Sequence, residues 1–149
     1  MYESLTIALL QARETAMSFF RPILKSYNLT EQQWRIIRVL ASSRSIDFHD
    51  LANITCILRP SLTGILTRME RDGLIFRLKP MNDQRKLYVS LTPAGQELYE
   101  EAKGKVDEGY EAIEAAFSPE KLAQLLGLLD EFISIGNRSQ DDIDENEEQ

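Results

Sequence analysis

Apolar positions recur at helical spacing over most of the chain and at strand spacing over two short runs. In residues 3–27, Leu5, Leu9, Ala12, Ala16, Phe19, Ile23 and Tyr27 fall at three- and four-residue steps, which predicts one long helix ended by Asn28. Phe20 beside Phe19 widens this stripe beyond what one face of a small domain needs, pointing to contact with a partner. Thr30-Glu31-Gln32-Gln33 has the pattern of a reciprocal helix cap and predicts a helix over 31–43 with Trp34, Ile37, Leu40 and Ala41 inward. Asp47 is a good N-cap for a short helix that turns Phe48, Leu51 and Ala52 inward and stops near Thr55-Cys56.

Pro60 suits the first position of a further helix, where its missing N–H costs nothing. Leu62, Ile65, Leu66 and Met69 then sit at i, i+3, i+4 and i+7, and Gly73 supplies the stop. The opposite face carries Ser61, Thr63, Gly64, Thr67, Arg68 and Arg71, which are short, polar or basic. Residues 74–79 and 86–91 each alternate over part of their length, and the turn-rich connector 80–85 makes them a hairpin with an exposed tip. Thr92-Pro93 and Ser118-Pro119 open helices near 93–116 and 119–136, the second with a dense stripe of Leu122, Leu125, Leu126, Leu129 and Ile133. From Ser139 to Gln149 there are six acids and no bases, and the stretch is expected to be disordered.

The 149 residues leave room for one core with appended helices and no second catalytic domain. No apolar run approaches the roughly 18 residues that cross a bilayer, and the N-terminus has no secretory pattern, so a cytoplasmic protein without membrane contact is expected. His49 is the lone histidine and Cys56 the lone cysteine. Neither a zinc-type cluster nor a nucleophile with its base and orienting group can be assembled from them, so no metal, no cofactor and no enzymatic activity are expected.

A net charge of -7 argues against a polyanion partner until it is divided along the chain. Residues 1–91 hold 13 Lys+Arg against 8 Asp+Glu, whereas residues 92–149 hold 4 against 16. Such asymmetry between halves is a mark of a polyanion partner on one side. Within 59–86, Arg59, Arg68, Arg71, Arg77, Lys79, Arg85 and Lys86 outnumber Glu70, Asp72 and Asp83, leaving a local net of +4.

Three helices, a polar-faced last helix and a β-hairpin make a mainly α fold with a small hairpin, the plan of a winged helix-turn-helix. A major groove about 12 Å wide admits a helix whose outward residues are short or end in donors. Ser61, Thr63, Thr67 and Arg68 meet that requirement, and Arg85 at the hairpin tip suits a narrow minor groove. Arg59 is a poor side-chain cap, which leaves the N–H groups that open the helix free for a phosphate. Taken singly, a polar helix face and a charged hairpin are ordinary solvated surface; their order and shared sign of charge favour double-stranded DNA.

The succession Arg68-Met69-Glu70-Arg71-Asp72-Gly73-Leu74-Ile75, Asp83-Gln84-Arg85 and Val89-Ser90-Leu91-Thr92-Pro93-Ala94-Gly95 resembles the MarR family of transcription regulators, as does Leu29-Thr30-Glu31-Gln32-Gln33-Trp34-Arg35. The resemblance spans about 5–136 and runs to the family's repressors of aromatic catabolism. It implies a homodimer held by helices in 1–28 and 93–137, a DNA-binding core over 29–92, a palindromic operator, and release by an aromatic acid. It further implies that Asp83 positions Arg85 for the minor groove while the 60–71 helix reads the major groove. Aromatic-acid sensors of the family hold the effector between dimer helices and core, often with a first-helix arginine. Arg13 is the matching candidate for a bidentate grip on a carboxylate, with Trp34, Arg38 and His49 lining the same space. Plainer roles stand beside these: Trp34 lies on a core stripe, Arg13 and Arg38 suit ion pairs, and a single histidine is more often structural. Two alternatives stay open, a winged-helix module that binds another protein and an oxidant sensor using Cys56, although Cys56 has no resolving cysteine.

Overall fold

Proline decides the first departure from these expectations. Pro22 has no N–H to donate to Ser18 and its ring crowds that carbonyl, so the stretch 3–27 folds as two helices, α1 (Leu5–Ser18) and α2 (Arg21–Ser26). The computed structural model describes the backbone of residues 4–147 and the side chains of residues 4–137. Asn28, with φ of 57°, ends α2 in the left-handed region. Helix α3 (Glu31–Ala41) opens with the reciprocal cap: Gln33 N–H donates to Thr30 Oγ1 at 3.1 Å, and Thr30 N–H to Gln33 Oε1 at 3.0 Å. Its buried residues are Trp34, Ile36, Ile37 and Leu40.

A two-residue strand that periodicity does not reveal, β1 (Ile46–Asp47), precedes α4 (Phe48–Thr55), where Asp47 accepts from His49 N–H at 2.9 Å as N-cap. Cys56 then turns the chain with φ of 56°, leading to α5 (Arg59–Arg71), β2 (Ile75–Leu78) and β3 (Tyr88–Leu91). The strands form one antiparallel sheet in the order β1-β3-β2, with Val89 opposite both Ile46 and Arg77. Leu62, Leu66 and Met69 are fully buried beneath α5 and Ile65 nearly so; truncating any one to alanine costs roughly 2–5 kcal/mol.

Helix α6 (Pro93–Phe117) is tied to the hairpin root by Thr92, whose hydroxyl donates to Gly73 C=O at 2.6 Å and accepts from Gly95 N–H at 3.0 Å. A Cβ at Gly95 would meet the Leu74 carbonyl oxygen at 2.2 Å, so only glycine permits this approach. Helix α7 (Pro119–Glu147) follows after Ser118. Two compact units divide the chain, residues 1–108 and 109–149. The first contains the helical core, the sheet and an α1 with no buried residue; the second exposes Leu125, Leu126, Leu128, Phe132, Ile133 and Ile135. Among the described residues no helix is long and apolar enough to cross a membrane. The acidic stretch expected to be disordered lies outside the residues whose side chains are described; the backbone of α7 carries to Glu147.

Gly95→Ala is expected to destabilise the protein by about 1–3 kcal/mol through this overpacking. Gly104→Ala, in the same helix with nothing within 4 Å of an added Cβ, is expected to stabilise by about 0.5–1 kcal/mol. Urea unfolding of both variants checks the pair, and equal effects would refute the close approach at Gly95.

Candidate nucleic-acid interface

The face of α5 opposite its buried stripe carries Arg59, Ser61, Thr63, Thr67, Arg68 and Arg71, all exposed. The N-cap is Leu58 rather than Arg59, and it provides no side-chain hydrogen bond. The first N–H groups of the helix therefore lack a side-chain acceptor at the cap, the physical condition for receiving a phosphate. Thr63 spends its hydroxyl proton on the Arg59 carbonyl at 3.1 Å and keeps acceptor capacity outward. Arg68 folds back along the helix, with Nη1 at 3.7 Å from where a Cβ on Gly64 would stand.

At the hairpin tip Asp83 accepts from both the backbone N–H of Arg85, at 3.1 Å, and its Nε, at 3.2 Å. The Arg85 side chain is nonetheless 92% exposed, so its terminal nitrogens project into solvent while its base is held. Lys79 and Lys86 are exposed on the same connector. Lys86 borders an open cleft of about 610 Å³ shared with Asp47, Asp50, Asn53 and Tyr88.

Arg77, expected among the DNA-facing residues, is engaged by groups of this chain. Its Nε and Nη2 donate to the Glu70 carboxylate at 3.2 and 3.0 Å and its Nη1 to Thr67 Oγ1 at 3.1 Å, leaving the side chain 24% exposed. Thr67 donates in turn to the Thr63 carbonyl at 2.9 Å, so its hydroxyl is engaged on both sides. The Arg77 guanidinium lowers the Glu70 pKa by hydrogen bonding and charge. Glu70 is the residue that sequence reasoning passed over, because it counts only as an acid diluting a basic stretch until its partner is known.

The four residues associated with an effector divide. Glu31, Trp34, Arg35 and Arg38 follow one another at i, i+3, i+4 and i+7 along one side of α3, and Arg13 reaches that side from α1 by an ion pair with Glu31. Trp34 is buried and stacks on Tyr99 with ring centroids 5.7 Å apart; Arg38 is exposed. His49 lies on α4, its ring in an edge contact with that of Phe48. Arg35 was not singled out from the sequence. Its Nη1 donates to the Thr55 carbonyl at 2.6 Å, and its buried Nε has no hydrogen-bond partner, with Glu31 at 3.8 Å. Burial and the charge of Arg13 lower its pKa. Cys56 is exposed, its thiol directed at the Asn53 carbonyl at 3.8 Å.

A family model described as the MarR family matches residues 29–87. The homoprotocatechuate degradative operon repressor of Escherichia coli is 68% identical over 143 residues, spanning 96% of this chain and 97% of the relative. The chain belongs to the MarR family. Among solved structures, this MarR-family chain superposes on the transcriptional regulator PA4135 with a TM-score of 0.87 at 52% identity, covering 90% of this chain and 98% of that one. It superposes on NadR, crystallised in complex with 4-hydroxyphenylacetate, with a TM-score of 0.78 at 56% identity, covering 88% and 93%. The fold is the expected MarR winged helix-turn-helix, mainly α with a small antiparallel sheet, the third strand being the addition.

Arg35→Ala is expected to lower stability by about 1.5–3 kcal/mol, because it removes a charged donor and leaves the buried Thr55 carbonyl unsatisfied. Equilibrium unfolding measures this; an unchanged midpoint would show that water replaces the guanidinium without loss.

Proposed function

We propose that this chain is a transcriptional repressor of an operon for the degradation of homoprotocatechuate and related hydroxyphenylacetates, released from its operator by an aromatic acid. The observation that carries the reading is the similarity to the Escherichia coli repressor across nearly the full length of both chains. Function in this family is transcription regulation, and a regulator of this kind works in the cytoplasm beside the DNA.

The DNA-binding unit is a homodimer. Leu5, Ile7, Leu9 and Leu10 of α1 and, in the second unit, the apolar side of α7 are exposed in a single chain, and a second copy is the occupant that would remove them from water. Two reading helices presented about 34 Å apart match successive major grooves of a palindromic site. In each copy Ser61, Thr63 and Arg68 face base edges, Arg59, Arg71, Lys79 and Lys86 serve the phosphates, and Arg85, steadied by Asp83, enters the minor groove.

The effector is a hydroxyphenylacetate-like acid, the chemistry found in the NadR complex. Arg13 receives the carboxylate, in competition with Glu31, while Trp34 and Arg38 border the ring. His49 is left out of this site because its contacts lie on α4. Cys56 has no second thiol in the chain to resolve an oxidised form, which favours the acid-released over the oxidant-sensing reading.

Operator binding, followed by fluorescence anisotropy on DNA from upstream of the operon, tests the reading. The wild-type protein is expected to bind and to be released by 4-hydroxyphenylacetate, whereas Arg13→Ala binds and resists release. Affinity for the acid must fall on operator DNA by the factor by which the acid weakens DNA binding. Indifference of wild-type binding to aromatic acids would overturn the effector assignment. Arg85→Ala and Arg68→Ala are each expected to weaken binding, and whichever loses a phosphate contact lowers the slope of log affinity against log salt by about one.

A further inference from the structure

The bracket formed by Glu70, Thr67 and Arg77 joins the last turns of the reading helix to the edge strand of the wing. Three hydrogen bonds come from the Arg77 guanidinium, and a fourth runs from the Arg77 backbone N–H to Glu70 Oε2 at 3.2 Å. That backbone donor belongs to β2, which has β3 on one side only. Glu70 thus fills a hydrogen-bonding position that an added strand would otherwise take, and it fixes the strand to α5 at the same time. The connection between the two elements is short: Asp72 caps α5, Gly73 turns with φ of 77°, and Leu74 N–H donates to Met69 C=O at 2.9 Å. Such a turn sets where the wing begins; the bracket sets the direction in which it leaves.

We propose that Arg77 is a positioning residue for DNA reading: with Glu70 it fixes the angle between α5 and the wing, so that α5 and Arg85 engage one duplex together, and it makes no DNA contact of its own. A planar guanidinium held by two of its edges resists rotation in a way that a lysine at the same place does not. The inference rests on the operator-binding reading and adds the source of its geometry. It also reverses the expected sign of one substitution. Were Arg77 a phosphate contact, removing the neighbouring Glu70 charge would strengthen binding to a polyanion. As one half of a bracket, Glu70 strengthens binding by its presence.

The experiment uses the full-length protein with the upstream operator fragment and a scrambled fragment of equal length, each titrated over a range of salt. Selective binding by the wild type tests the operator reading itself, and its absence would remove that reading and this inference with it. Given selective binding, Glu70→Gln and Arg77→Gln are each expected to lower operator affinity by about tenfold, and the double variant by no more than either alone. Affinity for the scrambled fragment and the salt slope are expected to stay unchanged, whereas Arg85→Ala serves as the benchmark for a lost contact. Arg77→Lys keeps the charge and loses the fork; it is expected to lose selectivity without a change in slope, and circular dichroism of each variant confirms that it folds. The inference is overturned if Glu70→Gln tightens operator binding, if Arg77→Gln lowers the slope by about one, or if the two losses add. It is equally overturned if Arg77→Lys retains full selectivity.

Discussion

Four apolar side chains under α5 leave the helix no freedom to rotate. Leu62, Ile65, Leu66 and Met69 are at most 5% exposed, and turning the helix by one residue, about 100°, would bring Leu62 and Met69 toward water and push Thr63, Thr67 and Glu70, or in the other direction Ser61 and Arg68, into the core. Each carries roughly 2–5 kcal/mol against truncation, against a typical domain stability of about 5–15 kcal/mol. The outward set on a 13-residue helix is therefore not a separate design element; it is what remains when the inward set is fixed. The reading surface inherits its orientation from the core.

Ion pairs then distribute the arginines between structure and recognition. Arg21 pairs with Glu14, Arg13 with Glu31 and Arg77 with Glu70, each across a turn or between elements, whereas Arg85 meets Asp83 within two residues of itself. Exposed pairs of this kind contribute only about 0–1 kcal/mol, so stability does not account for their arrangement. Geometry does. A pair between elements sets an angle, and the local pair at Asp83 fixes only the base of Arg85 while its donors stay available. The +4 local charge of residues 59–86 survives this pairing, since Arg77 and Glu70 cancel each other and six bases against two acids remain.

Most of the fold was legible because its signals are local. The cap at Thr30, the stripe of α5, the glycine turn at Gly73 and the Thr92-Pro93 helix start each lie within a window of a few residues, and each appears where the pattern put it. Pro22 was equally visible, and the long apolar stripe around it masked a break that proline chemistry demands. Strand β1 was not legible: two residues carry no periodicity, and their pairing with Val89 and Tyr88 comes from the far side of the hairpin. The functional residues divide in the same way. Outward residues of α5 follow from helix geometry, whereas the destinations of Arg77 and Arg35 depend on partners seven and twenty residues away, which no spacing rule supplies.

Arg35 also gives the proposed acid response a physical route. Its guanidinium stands near the Glu31 carboxylate that Arg13 engages, and its Nη1 holds the Thr55 carbonyl at the last residue of α4. One residue later Cys56 makes the left-handed turn toward α5. On the proposed reading, a carboxylate that drew Arg13 away from Glu31 would free that acid to attract Arg35, and a movement of Arg35 would reach the Thr55 carbonyl it holds before the turn into the reading helix. The unpartnered buried Nε makes this a site with an unmet hydrogen bond, so a shift toward Glu31 gains a contact where one is missing. Coupling of this kind needs differential affinity for two arrangements of the same groups, and a shared carboxylate between two arginines provides two such arrangements.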